Sequence, residues 1–175
     1  MNMNQSQQNA AASVEDIDNI DDLRPRLDGT NINKKTLLAP DYINHFSAIV
    51  MVIDLIPELK SNLAEARRWR PKSYVAHFEN SGFAARDLAI HAYRLAPIPI
   101  RARFDETIDR LNLLVAVSLD RIEKAVMTGD REIIRAVTMR ASRDLQHMID
   151  VVGAIIDGAD TRIAQDDIDT MFEDR

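Results

Sequence analysis

Val126-Met127-Thr128-Gly129-Asp130-Arg131-Glu132-Ile133-Ile134 is the stretch whose reading decides the fold. Before it, Phe104, Ile108, Leu111, Val115, Ile122 and Val126 recur at the spacing of one helical face. After it, Ile134, Val137, Ala141, Leu145, Met148, Val152 and Ile155 do the same. Between the two runs Gly129 stops a helix, because glycine enters the left-handed conformation without a steric cost. Asp130 starts the next helix, its carboxylate placed to accept from the free N–H groups of a first turn. So short a connection makes the two helices an antiparallel hairpin.

Working outward, Pro99 suits the first turn of the leading helix, and Gly158 closes the trailing one. Residues 84–95 read as a short helix with Leu88, Ala92 and Leu95 on one side, ended before Pro97. Residues 73–80 read as another, ended by Asn80-Ser81-Gly82. Pro40 and Asp41 open a helix predicted over 41–69, with Asp41 as its N-cap. Its apolar side is Ile43, Phe46, Ile49, Val50, Ile53, Leu59, Leu63 and Ala66, and Pro57 should kink or split it. The expected fold is all-α: an antiparallel helical bundle over residues 41–157, with three long helices and two short ones.

The flanks read differently. Met1–Ala12 is a low-complexity run of Asn, Gln, Ser and Ala, and residues 13–40 hold scattered apolar residues broken by Pro25 and Gly29. Residues 1–40 are therefore expected to be a mostly disordered arm, and residues 158–175 a flexible acidic tail. The charge sits in these flanks. Residues 1–40 carry 6 acidic and 4 basic side chains, residues 158–175 carry 6 and 2, and residues 41–157 balance at 16 and 16. The whole formal charge of −6 thus lies outside the predicted bundle, and an acidic chain argues against nucleic-acid binding.

Composition narrows the chemistry. A hydrophobic content of 46% can build a core, and 5 glycines and 6 prolines favour helix. There is no cysteine, which excludes disulfides, thiolate metal sites and cysteine nucleophiles. The longest apolar run, Ala48–Ile53, is far too short to span a membrane. The start has no basic segment followed by an apolar core, so no secretory signal is read and the expected compartment is the cytoplasm.

The tail carries the sequence's strongest functional signal: Ala164-Gln165-Asp166-Asp167-Ile168-Asp169-Thr170-Met171-Phe172. Ile168, Met171 and Phe172 fall at i, i+3, i+4, one face of a short helix. Such a helix is too short to hold itself in water, so it packs on its own domain or waits for a partner. An acidic-Asp-Ile-Asp pattern also occurs near the N-terminus, in Glu15-Asp16-Ile17-Asp18.

Residues 163–172 resemble the peptide Leu-Ser-Gln-x-Glu-Ile-Asp-x-Leu-Leu that begins the flagellar motor switch protein FliM, and the acidic-apolar terminal helix of the chemotaxis phosphatase CheZ. Gln165, the acidic pair Asp166 and Asp167, then Ile168 and Asp169, match in order. Met171 and Phe172 take the two apolar positions. Ile163 and Ala164 depart from Leu and Ser, and the segment is not at the N-terminus as it is in FliM. The resemblance implies capture of a CheY-like receiver domain. The residue chemistry agrees, since acidic residues favour the first turn of a helix and would steer it to a basic groove.

A CheZ-like phosphatase would carry Asp and Gln one helical turn apart, and no Asp-x-x-x-Gln spacing exists here. Other chemotaxis phosphatases use Glu-x-x-Asn. The nearest match is Asp109-x-x-Asn112, with Asp105 one turn earlier, on the solvent flank of the helix. These three are either a water-positioning set or an ordinary polar face. Arg67, Arg68, Arg70 and Lys72 crowd around Trp69 and offer an anion patch, or simply cations at a helix C-terminus. Asp41/His45 and Asp87/His91 are i, i+4 pairs of metal-ligand type, without the Glu-x-x-His companions of di-iron bundles, and neither metal nor cofactor is expected. The sequence therefore points to a cytoplasmic, non-catalytic interaction protein. The alternatives are a receiver phosphatase and a bundle that pairs with itself as a homodimer.

Overall fold

The computed structural model describes residues 18–159. They are all-α, with no strand among them. Seven α-helices follow in order: α1 (Ile20–Leu23), α2 (Asn44–Asp54), α3 (Asn62–Ala66), α4 (Tyr74–Glu79), α5 (Arg86–Leu95), α6 (Ile98–Thr128) and α7 (Arg131–Ile156). Two 3₁₀ turns, Arg24–Leu27 and Pro40–Ile43, lie between α1 and α2. Gln165–Phe172 and the N-terminal copy of the pattern up to Ile17 lie outside the described residues.

The hairpin is as its caps dictate. Gly129 is left-handed at φ +73, and Asp130 accepts from the N–H groups of Glu132 (2.8 Å) and Ile133 (3.2 Å). The facing stripes are closed: Leu111, Val115, Ile122, Leu145, Met148 and Val152 are all buried. At that depth each Leu contributes about 2–3 kcal/mol by leaving water.

One face of the hairpin is covered by α2, α3 and the turn between them. Glu58 accepts from Arg131 (3.0 Å) and Arg135 (3.2 Å), Ser142 donates to Asp54, and Arg67 pairs with Asp120 (2.8 Å) and Glu123. The helix expected over 41–69 is two separate helices. The chain leaves helical geometry after Asp54, just before Pro57, whose ring cannot follow a helical turn. The break shifts the phase, so Leu59 is 57% exposed where an unbroken helix would have buried it. The structure thus has two long helices, not three.

The larger correction concerns the arm. Residues 18–39 were expected to be loosely ordered, yet Leu23, Leu27, Ile32, Thr36, Leu37 and Leu38 are buried. Asn33 organises the end of this segment. Its carboxamide oxygen accepts from the N–H groups of Lys35 (2.8 Å) and Thr36 (3.0 Å), and its carbonyl accepts from Leu37 (2.7 Å). Leu37 takes the left-handed conformation at φ +63, which costs about 1–2 kcal/mol for a residue with a side chain. Its complete burial offsets that cost. The arm then closes the end of α7. The Thr36 hydroxyl donates to the Ile156 carbonyl (2.6 Å), and the Lys35 ammonium donates to the Gly158 carbonyl (3.1 Å). Carbonyls of a last helical turn have no partner within the helix, and a cation there also meets the negative end of the helix dipole.

Candidate functional site

Two cyclic residues bring the site together. Pro97 and Pro99 turn the chain sharply between α5 and α6, so Tyr93 in the last turn of α5 meets Asp105 early in α6. The Tyr93 hydroxyl donates to the Asp105 carboxylate at 2.8 Å. Around this bond the three tyrosines of the chain converge. Tyr74 stacks on Tyr93 with centroids 4.6 Å apart and planes 16° apart, and Tyr42 lies 5.4 Å from Tyr74. Phe104 closes the base, 5.8 Å from Tyr74 and 5.7 Å from Tyr42. The 3₁₀ turn, α4, α5 and α6 each supply one of the four rings.

These rings wall a pocket of about 330 Å³ whose rim includes Lys72, Asp105, Asp109 and Asn112. The three polar residues singled out on α6 are thus brought to one place. Their setting differs from the expected solvent flank: Asp105 is half-buried under Tyr93, and only Asp109 is exposed. The side-chain oxygen of Asn112 is buried without a hydrogen-bond partner among the described residues.

Burial sets the electrostatics. It raises the Asp105 carboxyl above the ordinary carboxylate range, with Asp109 adding to the rise and the Tyr93 hydroxyl and Arg101 opposing it. Burial, then the Asp105 carboxylate, pushes Tyr93 up to about 12. Tyr42 and Tyr74 are raised further, chiefly by burial. Each hydroxyl has structural work. Tyr42 donates to the Lys72 carbonyl (2.6 Å), and Tyr74 accepts from the Ala39 N–H (2.8 Å). The pocket offers two carboxylates and an amide oxygen against aromatic walls, a lining suited to a donor-bearing group. Its one alcohol outside the tyrosines, Ser73, caps α4 by accepting from the Ala76 N–H, and no histidine lines it.

The proposed anion patch is dispersed. Arg67 reaches across to Asp120 and Glu123 on α6. Arg70 folds back to donate to the carbonyls of Arg67 (2.6 Å) and Trp69 (2.8 Å), capping the end of α3. Lys72 faces the pocket, and Arg68 is exposed. These four cations do not form one site. Arg67 and Arg68 directly follow the end of α3, whereas Lys72 immediately precedes the Ser73 cap of α4. The metal-type pairs have other neighbours. His45 stacks on Trp69 at 4.8 Å, and Asp87 lies 3.6 Å from Arg86. Among the described residues no group of three His, Asp or Glu side chains stands close enough to hold a metal. Burial, then the neighbouring Lys72 and His77, lower His45 to about 4.

Sequence reading missed the aromatic walls of this pocket. The tyrosines lie on three separate elements, and only the Pro97-x-Pro99 reversal hinted that Tyr93 and Asp105 face each other. Among the described residues no helix is long and apolar enough to cross a membrane. The chain matches no family model, and neither the curated proteins nor the solved structures yield a significant match.

Proposed function

We propose that this chain is a non-catalytic regulatory module of the cytoplasm that captures a CheY-like receiver domain through residues 163–172. The observation that carries the reading is the order Gln165-Asp166-Asp167-Ile168-Asp169 followed by Met171 and Phe172, set shortly after the α7 stop at Gly158. The arrangement of the described domain supports it. Thr36 and Lys35 fix the end of α7, which gives the segment a rigid point of departure. An amphipathic helix laid into a groove needs only a few apolar anchors on one face, with acidic residues to steer the encounter.

The phosphatase alternative fares worse. A residue that positions water on a partner's phosphoryl group must project from its own surface. Of the matching pair, Asp109 is exposed but the Asn112 side-chain oxygen is buried, and Asp105 lines a recess with its carboxylate bonded to Tyr93.

Titration calorimetry of the full chain against a CheY receiver, with and without beryllofluoride activation, tests the proposal. Wild type should bind the activated form more tightly. Replacing Ile168 and Phe172 together with Ala should cost about 2 kcal/mol or more, as loss of central anchors does. Equal binding by this double variant, or no binding to either form, would dispose of the reading.

A further inference from the structure

We infer that the open groove between α6 and α7 is the resting seat of the chain's own segment 163–172, which must leave it to engage a partner. The seat stands on its own evidence. Only its regulatory consequence rests on the receiver reading above.

The groove lies on the side of the hairpin that α2 and α3 leave uncovered. It encloses about 480 Å³ and is lined by residues of α6 and α7 alone. Its floor is apolar and low, with Ala125 and Ala141 at the bottom, Val137 half-buried and Ile133 44% exposed. Small floor residues let a further helix approach closely, as ridge-in-groove packing requires. The rim is basic. Arg121 and Lys124 stand on the α6 side and Arg140 on the α7 side, against a single acid, Asp144, which lies 3.7 Å from Arg140.

Charge and length select the occupant. Residues 163–172 carry three aspartates and no basic residue, with Ile168, Met171 and Phe172 on the opposite face if helical. That chemistry is complementary to a basic rim over an apolar floor. A second copy of the groove is not, because two-fold pairing would set Arg121 and Lys124 against their own counterparts. The lengths also agree. From Ile156 back to Asp144 along α7 is about 18 Å at 1.5 Å per residue. Asp157, Gly158 and Ala159 close the helix end, Ala159 donating to the Ala154 carbonyl (2.9 Å), so the free run starts at residue 160, and residues 160–165, extended, reach about 20 Å. A helix over 166–172 is about 10 Å long, and the groove runs about 16 Å from Asp144 to Ile133. Asp166 would therefore sit level with Asp144, and Met171 and Phe172 near Val137.

Because the chain has no cysteine, introduced thiols report this contact without background. The variant pair Val137→Cys with Met171→Cys should close an intramolecular disulfide under mild oxidation of the full-length protein at low concentration. Leu59→Cys with Met171→Cys places the partner thiol on the covered side, and should cross-link about tenfold more slowly. Adding Arg121→Glu and Lys124→Glu to the first pair should slow it by a similar factor, as should raised salt. Equal rates for the two pairs, or indifference to charge reversal, would overturn the seat. A disulfide between chains would instead assign the groove to a second copy's tail and overturn the assignment in cis. If the receiver reading also holds, the charge-reversed protein binds the activated receiver several-fold more tightly than wild type. The expected cross-links without any receiver binding would remove that reading and leave the seat standing.

Discussion

Replacing Thr36 with Val asks whether the N-terminal arm is an integral part of the domain. The side chain is fully buried and its hydroxyl donates to the Ile156 carbonyl at 2.6 Å. Val keeps the shape and removes only the donor. The bond itself is worth about 1 kcal/mol net. Its loss also strands a carbonyl in the last turn of α7, where the helix provides no alternative N–H. A buried acceptor without a partner raises the cost to about 1–3 kcal/mol. Thr36→Ser keeps the hydroxyl and loses one methyl, so it should cost about 1 kcal/mol through packing alone.

Urea unfolding followed by far-ultraviolet circular dichroism gives both values. Helix signal and tryptophan fluorescence should move together, because Trp69 and α7 belong to one cooperative unit. A loss under about 0.5 kcal/mol in Thr36→Val, with an unchanged m-value, would mean that the arm frays independently of the helices. The reasoning from burial would then fail for the whole segment from Leu23 to Leu38.

Three further outcomes are expected. Leu145→Ala should cost about 2–5 kcal/mol by leaving a cavity, and Leu113→Ala, 51% exposed on the same hairpin, under about 0.5, both read from urea midpoints. Asp105→Asn should lower the Tyr93 ionisation from about 12, since the carboxylate charge helps to raise it, and ultraviolet difference titration of tyrosinate reads this directly. Stability should also fall as pH drops from about 6.5 to about 4. His45 is held down to about 4 in the folded chain, so over that window the unfolded chain binds a proton that the folded one refuses. His77, lowered for the same reason, adds to the slope. The His45 share has an upper limit of about 3 kcal/mol, and a flat urea midpoint between pH 7 and pH 4.5 would contradict it.

How legible this was depends on the kind of interaction. Gly129, Asp130 and the two apolar stripes act within a turn or along one helix, so the hairpin could be read from spacing. The burial of residues 18–39 could not. Leu23, Leu27, Ile32, Leu37 and Leu38 keep no single period, and what orders them is the end of α7, more than a hundred residues away. Pro57 was visible, but whether it bent or split its helix depended on how the chain beyond it packs, and Leu59 went to the wrong side. Asp105, Asp109 and Asn112 were legible as neighbours because they share one helix. Their burial was not, because Tyr42, Tyr74 and Tyr93 come from elsewhere.

The same long-range contact connects the two ends of the chain in one mechanical argument. The arm that carries the first acidic pattern finishes by holding the terminal carbonyls of α7, and the second acidic pattern departs from that point. A rigid departure matters more for a short peptide than for a long one. With the exit fixed, residues 160–165 span little more than the distance to the groove, so the segment's local concentration there is high without a strong contact. A frayed α7 end would let the segment wander and weaken the seat even with every groove residue intact. Thr36→Val should therefore slow the Val137–Met171 cross-link as well as lower stability. If the cross-linking rate stayed unchanged while stability fell, affinity in the groove would hold the segment, and tethering would contribute little.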